Sequence, residues 1–546
     1  MLTYIPPSER PVLSSAPKEE APWHLLLLCA VWLLPGLVGH DPWKPTENQT
    51  VAVVQHMLSS GDWLLPQLAG QPWLDQAPLY YWVAAVFGKL LGGLGLALHD
   101  AVRLSTGLWA ALAMWGVGMT GRELYGVRQG RVAVVALIGS IGLLTWGHHA
   151  SPAMLGFAAF AWQLYALALL RGRPLRAGAV LGAAWLVLLL GATWSELALA
   201  GACALLLPVL PAWRKSSFLV VLLAAFVIAV PLGLVWPLLL HQQAPAAFAF
   251  WWDTQSLGLY GGMGDLRLFH QPGYLPSIVV WFAFPVLPLA AWALWLNRRS
   301  LRQSQWFLPL SQSLAVVFWL MLAGDPGEVQ ALLLLAPLAV LAGAGIDDLR
   351  RGAASSLYWF GATTLGAFAI ALWAGWFVLQ LGWPTRLAVE LARLNPVYQP
   401  GIGIGVVFSL FVSAAWVWVL LASRSLGRRA VTGWACGLTL IWGLLVGLYQ
   451  PWLNATKTYR PVGEGVGLAA QPYPGCIAAP MLGAASLGGV AYFSGRELRG
   501  AAAENLTECP LLLIQSRVTP LVEYSLLWSG HRVGEGDERF YLYRRR

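Results

Sequence analysis

Gly39-His40-Asp41-Pro42-Trp43-Lys44-Pro45-Thr46-Glu47-Asn48 follows the first apolar run of this chain, and Asp75-Gln76-Ala77-Pro78-Leu79-Tyr80-Tyr81-Trp82 closes the same polar stretch. Carboxylates, a histidine and a lysine crowd here in a sequence that is 58% hydrophobic and only 11% charged. An ionisable cluster beside a hydrocarbon slab is costly unless it handles a polar group there, so it marks an expected functional site. The remainder of the chain decides whether such a slab is present.

Soluble globular proteins carry about 25% charged residues. With 546 residues, 31 Trp and a mean hydropathy of +0.62, this is an integral membrane protein. Apolar runs long enough to span, or nearly so, lie at 23–39, 103–121, 132–147, 153–170, 177–195, 197–212, 217–240, 275–296, 306–323, 329–346, 355–381, 402–422 and 430–449. Several fall short of the ~20 residues that cross a bilayer comfortably. With the N-terminus in the cytoplasm, the cytoplasmic turns hold Arg122, Arg128, Arg131, Arg171, Arg173, Arg176, Arg214, Lys215, Arg298, Arg299, Arg302, Arg350, Arg351, Arg424, Arg428 and Arg429. The opposite loops hold only Lys44, Lys89, Arg267, Arg386 and Arg393. That asymmetry sets the orientation. It also shows why the net charge of +9 does not point to nucleic acid, because the basic residues are scattered over short turns.

Counting the run Tyr80–Leu98 as a span would invert every later loop. With Lys89 at its centre and four glycines, it reads as a helix lying in the outer interface. Residues 1–22, with Pro6, Pro7, Pro11 and Pro17, read as a cytoplasmic tail, and the first apolar run as an uncleaved anchor. Residues 23–450 form the membrane domain, with a first periplasmic loop over 40–102. From 451 to 546 charges return and apolar runs shorten, which predicts a small α/β domain outside the cytoplasm. Strands are expected at Ile477–Pro480, Val490–Phe493, Leu511–Gln515 and Phe540–Tyr543, with a small-residue helix near Leu482–Gly489. Cys29, Cys203 and Cys436 sit in spans as small apolar residues. Cys476 and Cys509 each precede an expected strand. A disulfide is sterically allowed if those strands are neighbours, and both the bonded and the free reading stay open.

The layout resembles the GT-C membrane glycosyltransferases of the ArnT and protein-mannosyltransferase type, the family 39-like group. The most specific stretch is Ser60-Gly61-Asp62-Trp63-Leu64-Leu65-Pro66-Gln67-Leu68-Ala69-Gly70, followed by Pro78-Leu79-Tyr80-Tyr81-Trp82. The resemblance covers the whole chain. It implies an α-helical polytopic fold of about thirteen spans, interfacial helices in the first outer loop and a small C-terminal α/β periplasmic domain. It further implies a hexosyl- or pentosyltransferase of the bacterial inner membrane. Such an enzyme takes a sugar from a polyprenyl-phosphate donor and passes it to a lipid or envelope-glycan acceptor, such as lipid A or other lipopolysaccharide. A glycosyl phosphate departs as a phosphate anion, so the site needs cations or hydrogen-bond donors around it. The acceptor needs a carboxylate base or positioning group within hydrogen-bond reach. Carboxylates of this loop can also hold a divalent metal, although no tight metal-ligand spacing is present.

The chain departs from the family pattern at four places. An Asp-Glu pair expected about ten residues before Met57 is here Thr46-Glu47, with Asp41 nearby. The expected acidic-Lys-Pro-Pro run is Asp75-Gln76-Ala77-Pro78, so a neutral amide replaces a lysine. A further Asp position, in His148-His149-Ala150-Ser151-Pro152, falls on Pro152, and a basic position falls on Glu196. Losing a full charge opposite a phosphate weakens charge-assisted binding, so altered chemistry and an inactive relative are both open readings.

Asp41 and Glu47 are the carboxylate candidates, the alternatives being solvated loop charges or, for Glu47, a charge in a helix first turn after Pro45-Thr46. His148 and His149 can act as base or phosphate donor, or simply end the third span as polar residues. Substrate-binding candidates are Lys44, Asp75, Gln76, Tyr80, Tyr81, Arg103 and His270. Against these stand interface anchoring for the tyrosines and snorkelling for Arg103. Three functions compete: the transferase, a non-catalytic relative that binds polyprenyl lipids or regulates a paralogue, and a lipid transporter or flippase. Transporters usually show internal repeats and polar helices meeting at mid-membrane. No repeat is apparent here, which ranks transport last.

Overall fold

The computed structural model describes residues 22–268, 273–324, 326–422, 426–500, 508–516, 524–533 and 535–544. Helices occupy each of the thirteen apolar runs, and among the described residues seven helical stretches are by themselves long and apolar enough to cross a membrane. The remainder are short, such as Trp23–Leu33, whose 11 residues rise only ~17 Å. Proline shapes several runs. The run at 197–212 becomes the helix Trp194–Leu205 followed by two 3₁₀ turns carrying Pro208 and Pro211, since proline cannot continue the ladder. The run at 275–296 splits into a π turn, one short turn and the helix Val286–Leu296.

Helix positions follow apolarity. Leu332–Gly345 is apolar all round and buried along almost its whole length, as a central helix must be. Arg351–Leu381 and Ile404–Ala422 bury little of their surface and form the periphery. Between helices the contact residues are small. Gly121 and Gly130 bring the helices Leu98–Tyr125 and Val127–Ile138 so close that a Cβ on Gly130 would lie 2.4 Å from the Gly118 carbonyl oxygen.

The first outer loop is ordered by its own sequence. The helix Thr46–Ser60 is closed by Gly61 in the left-handed region. Asp62 Oδ1 then accepts the Leu64 and Leu65 N–H groups at 2.9 and 3.2 Å. The Trp63 and Leu64 carbonyls accept the indole N–H groups of Trp82 and Trp236. The Ser-Gly-Asp-Trp stretch is thus a clasp that pins the loop to the bundle. The helix Leu79–Gly92 has 14 residues, fewer than the ~20 that cross a bilayer comfortably. It buries Tyr80, Tyr81, Ala84, Ala85 and Gly88 while Val86 and Leu90 face outward.

The last membrane helix runs without a break from Leu426 to Lys457, and the helix Arg460–Ala470 opens the small domain. Its sheet has the strand order Leu498–Arg499, Ile477–Ala478, Leu511–Ser516, Glu535–Arg544, Ser525–Arg532, parallel over the first three and antiparallel thereafter. Leu511, Leu513, Phe540 and Leu542 alternate inward, as the period-2 pattern predicts. One expectation fails. Val490–Phe493 ends the helix Ala484–Ser494 instead of forming a strand. Its β-branched and aromatic composition is outweighed by the small-residue run before it and by packing on the helices Arg460–Ala470 and Thr46–Ser60. The strands Leu498–Arg499 and Ser525–Arg532 were not expected; the second carries two register shifts, which break any clean alternation.

Cys476 and Cys509 flank the neighbouring strands at Ile477 and Leu511 and are disulfide-bonded, 33 residues apart in sequence. Closing a loop of that length stabilises a domain by about 3–4 kcal/mol. The Cys476→Ala, Cys509→Ala double variant of the full chain should therefore lose the small domain first in limited proteolysis. Unchanged protection would show that contacts with the first outer loop alone hold it.

Candidate active site

The polar stretch folds into one buried ion network where the first outer loop, the start of the helix Leu98–Tyr125 and the small domain meet. Arg103 is its hub and is wholly buried. Its Nε donates to Glu47 Oε1 at 2.8 Å, Nη1 to Asp100 Oδ1 at 2.9 Å and Nη2 to the Asp41 carbonyl at 2.8 Å. Glu47, in the first turn of its helix, is 2% exposed and also accepts the Ala150 N–H at 3.1 Å and the Trp43 N–H at 2.9 Å. Burial alone would raise the Glu47 carboxyl. The Arg103 charge, helped by His40 and His149, outweighs it and holds the group well below the usual carboxylate range.

Asp41 closes the network onto the small domain. Its Oδ2 accepts from Thr458 Oγ1 at 2.7 Å and Arg460 Nε at 3.0 Å, and its Oδ1 from Arg460 Nη2. Asn454 Oδ1 accepts the Asp41 backbone N–H at 2.9 Å and the Trp43 indole N–H at 3.2 Å. Burial pushes the Asp41 carboxyl up, but the Arg460 and Thr458 hydrogen bonds and the Arg460 charge bring it below its ordinary value. His99 bridges the two arms. Its Nδ1 lies 2.9 Å from the Tyr492 hydroxyl, and its Nε2 3.8 Å from Asp100 and 4.0 Å from Asp41.

The two adjacent histidines have different surroundings. His148 is fixed, with Nε2 2.8 Å from the Trp32 carbonyl oxygen, Nδ1 3.2 Å from that of Leu144, and its ring stacked on Trp442 at 4.3 Å. His149 lines a groove of about 290 Å³ together with His40, Trp43 and Lys457, whose far wall is Leu144, Trp442 and Val446. Burial lowers the His149 imidazole, while the charge of Glu47 acts to raise it. His149 therefore faces an amphipathic groove with the Glu47 carboxylate nearby. Larger cavities of 680 and 980 Å³ are walled mostly by apolar side chains and include none of the network residues.

The other candidates are dispersed. Lys44 pairs with Glu535 at 3.5 Å, and its ammonium lies 5.5 Å from the Tyr459 ring centroid. Tyr80 and Tyr81 are buried, the Tyr80 hydroxyl 2.6 Å from that of Thr106, so they anchor a helix instead of presenting a platform. Asp75 is exposed. The Gln76 Oε1 is buried with no hydrogen-bond partner, and its neighbours Leu74 and Ala77 pack against Trp236 and Trp251. Arg103, expected as a phosphate partner, is wholly buried and donates to Glu47, Asp100 and the Asp41 carbonyl. His270 lies outside the described residues. Pro152 starts the helix Ala153–Leu169, and the Glu196 carboxylate lies over Gly156, where a Cβ would come within 2.9 Å of it. Sequence reasoning missed Asp100, Arg460, Thr458 and Lys457. The Asp100–Arg103 spacing of three was legible as a helical pair, whereas Arg460 meets Asp41 across 419 residues.

Among the described residues, no group of three or more His, Cys, Asp or Glu is arranged to hold a metal ion. The clustered carboxylates are turned onto guanidinium groups and N–H donors, a donor set that fits ion pairing and does not fit a divalent cation.

The described residues form a helical bundle with several membrane-length helices and a small C-terminal sheet domain beside the ion network. The relatives are specific. The chain is 27% identical over 443 residues to an undecaprenyl phosphate-alpha-4-amino-4-deoxy-L-arabinose arabinosyl transferase of Pectobacterium carotovorum, covering 78% of this chain and 74% of that one. It is 29% identical over 448 residues to the protein so named in Pseudomonas aeruginosa, again covering 78% and 74%. The crystal structure of ArnT from Cupriavidus metallidurans bound to undecaprenyl phosphate superposes with a TM-score of 0.69 at 16% identity, over 95% of this chain and 97% of that one. No family model matches the chain. The fold is the ArnT-type GT-C fold, as the sequence resemblance implied.

Proposed function

We propose that this protein is a glycosyltransferase of the bacterial inner membrane. It moves a sugar from a polyprenyl-phosphate donor to a lipid or envelope-glycan acceptor of the lipid A type on the periplasmic face. Similarity to the arabinosyl transferases over three quarters of their length, joined to the shared fold, carries this reading. The N-terminus and the arginine-rich turns face the cytoplasm. The first outer loop over 40–102 and the small domain after the last membrane helix face the periplasm, where a disulfide persists.

In the transfer, the sugar C1–O bond to phosphate breaks, polyprenyl phosphate leaves, and an acceptor oxygen bonds to C1 as it loses its proton. His149 is placed to take that proton. Glu47, saturated with donors, is a poor base; its fixed charge supports His149 and stabilises positive charge developing on the sugar ring. The second reading is a non-catalytic relative that binds polyprenyl lipids. It is favoured by one observation: Gln76, at the position where the family resemblance implies a lysine, is neutral and half-buried.

Purified protein in nanodiscs, given radiolabelled undecaprenyl-phosphate sugars and extracted envelope lipids, should label a lipid acceptor. Binding of the donor without labelling of any acceptor would replace the first reading by the second. Absence of both would leave only the fold.

A further inference from the structure

The groove beside the network joins apolar and basic side chains in one lining. One face of the helix Leu426–Lys457 lines it with Trp442, Val446, Gln450, Leu453 and Lys457. Their spacings of four, four, three and four residues place them in one stripe. The stripe passes from indole and aliphatic side chains, through an amide, to an ammonium at the membrane surface. His149 and His40 stand at the same polar end.

Lys457 is also the cation that the network leaves unused. Arg103 is spent on Glu47 and Asp100, Arg460 on Asp41 and Glu464, Lys44 on Glu535, and Arg532 on Glu535. Among the described residues, Lys457 pairs with no carboxylate. Its exposed ammonium rests 4.7 Å from the Trp43 ring centroid, a contact that orients a cation without neutralising it. Three carboxylates, Asp41, Glu47 and Asp100, lie deeper, but each faces a guanidinium, so none competes for the ammonium.

We propose that this groove is a lipid-phosphate site, in which Lys457, assisted by the His149 ring, holds the phosphate and the apolar part of the stripe holds the first part of the lipid chain. The volume, near the lower end of ligand cavities (~300–1,000 Å³), suits a headgroup and the start of a chain and leaves the remainder to the bilayer. The inference rests on the proposed function in expecting a polyprenyl phosphate among the ligands. A phosphorylated glycolipid acceptor offers the same chemistry.

Binding to the full chain in phosphatidylcholine nanodiscs separates these cases. The probes are undecaprenyl phosphate, a diphosphorylated lipid A and phosphate-free undecaprenol, each tested on wild type, Lys457→Gln and Lys457→Arg. At least one phosphate lipid should bind wild type and lose tenfold or more in Lys457→Gln, with most affinity kept in Lys457→Arg and undecaprenol unaffected. Which lipid responds names the source, donor or acceptor. Equal binding of all three proteins, or no binding of either phosphate lipid to wild type, would overturn the proposal. Its fate is separable from that of the enzyme reading. Turnover unaffected by Lys457→Gln would remove this site and leave the transferase. Lysine-dependent binding with no turnover would keep the site and remove the transferase.

Discussion

Replacing Arg103 by methionine should destabilise the protein by about 3–5 kcal/mol, the usual cost of removing one partner from a buried ion pair. The side chain is wholly buried and holds three separate acceptors: Glu47, Asp100 and the Asp41 carbonyl. Methionine fills much of the volume, so the loss is electrostatic. It leaves Glu47 as a buried anion whose remaining partners are the Ala150 and Trp43 N–H groups. The Arg103→Met, Glu47→Gln double variant should recover part of the stability, because the stranded charge is gone. The pH dependence gives an independent sign. In wild type the Glu47 carboxyl is depressed, so its contribution is present above the unfolded value of ~4.3 and is lost only as pH falls through the lower folded value. Without Arg103, burial leaves the same carboxyl raised, and protonation relieves it. Thermal melts in detergent should then show Arg103→Met gaining stability between pH 7.5 and 5.5 while wild type does not. Parallel behaviour of the two would show that Arg103 does not set the charge state of Glu47.

Glu47→Gln should reduce sugar transfer by about 10²-fold or more, the scale on which a positioned acid–base system contributes. It should leave undecaprenyl-phosphate binding unchanged. The amide can still accept from Ala150 or Trp43, but it removes the charge that raises His149. A merely structural role would lower the amount of active protein and leave the shape of the pH–rate profile untouched. A positioning role moves the acidic limb of kcat to lower pH, because an imidazole deprived of a neighbouring anion titrates lower. An unshifted profile with reduced amplitude would assign Glu47 to folding alone.

Much of the architecture was legible in the chain. Hydrocarbon thickness dictates span length, and the arginine asymmetry dictates orientation. Each apolar run read from the chain is helical in the structure, and seven helical stretches among the described residues are long and apolar enough to cross a membrane. The small domain was legible as strands where side chains alternate, at Leu511–Ser516 and Glu535–Arg544, and not where a bulge or helix packing overrode composition, at Ser525–Arg532 and Val490–Phe493. Asp41, Glu47, Arg103 and His149, which the structure brings into or beside one ion network, were each singled out in the sequence from their types, their loop position and the family resemblance.

Their roles were not legible. Arg103 looked available for a phosphate, yet it is consumed by two carboxylates and a carbonyl. Lys457 drew no notice, yet it lines an amphipathic groove and, among the described residues, pairs with no carboxylate. By itself the sequence determined which segments are long apolar helices and which are polar loops, because hydropathy and helix propensity act on each segment separately. Only the tertiary structure decided which ions neutralise one another, because Coulomb attraction and desolvation depend on distances between groups as remote in sequence as Asp41 and Arg460.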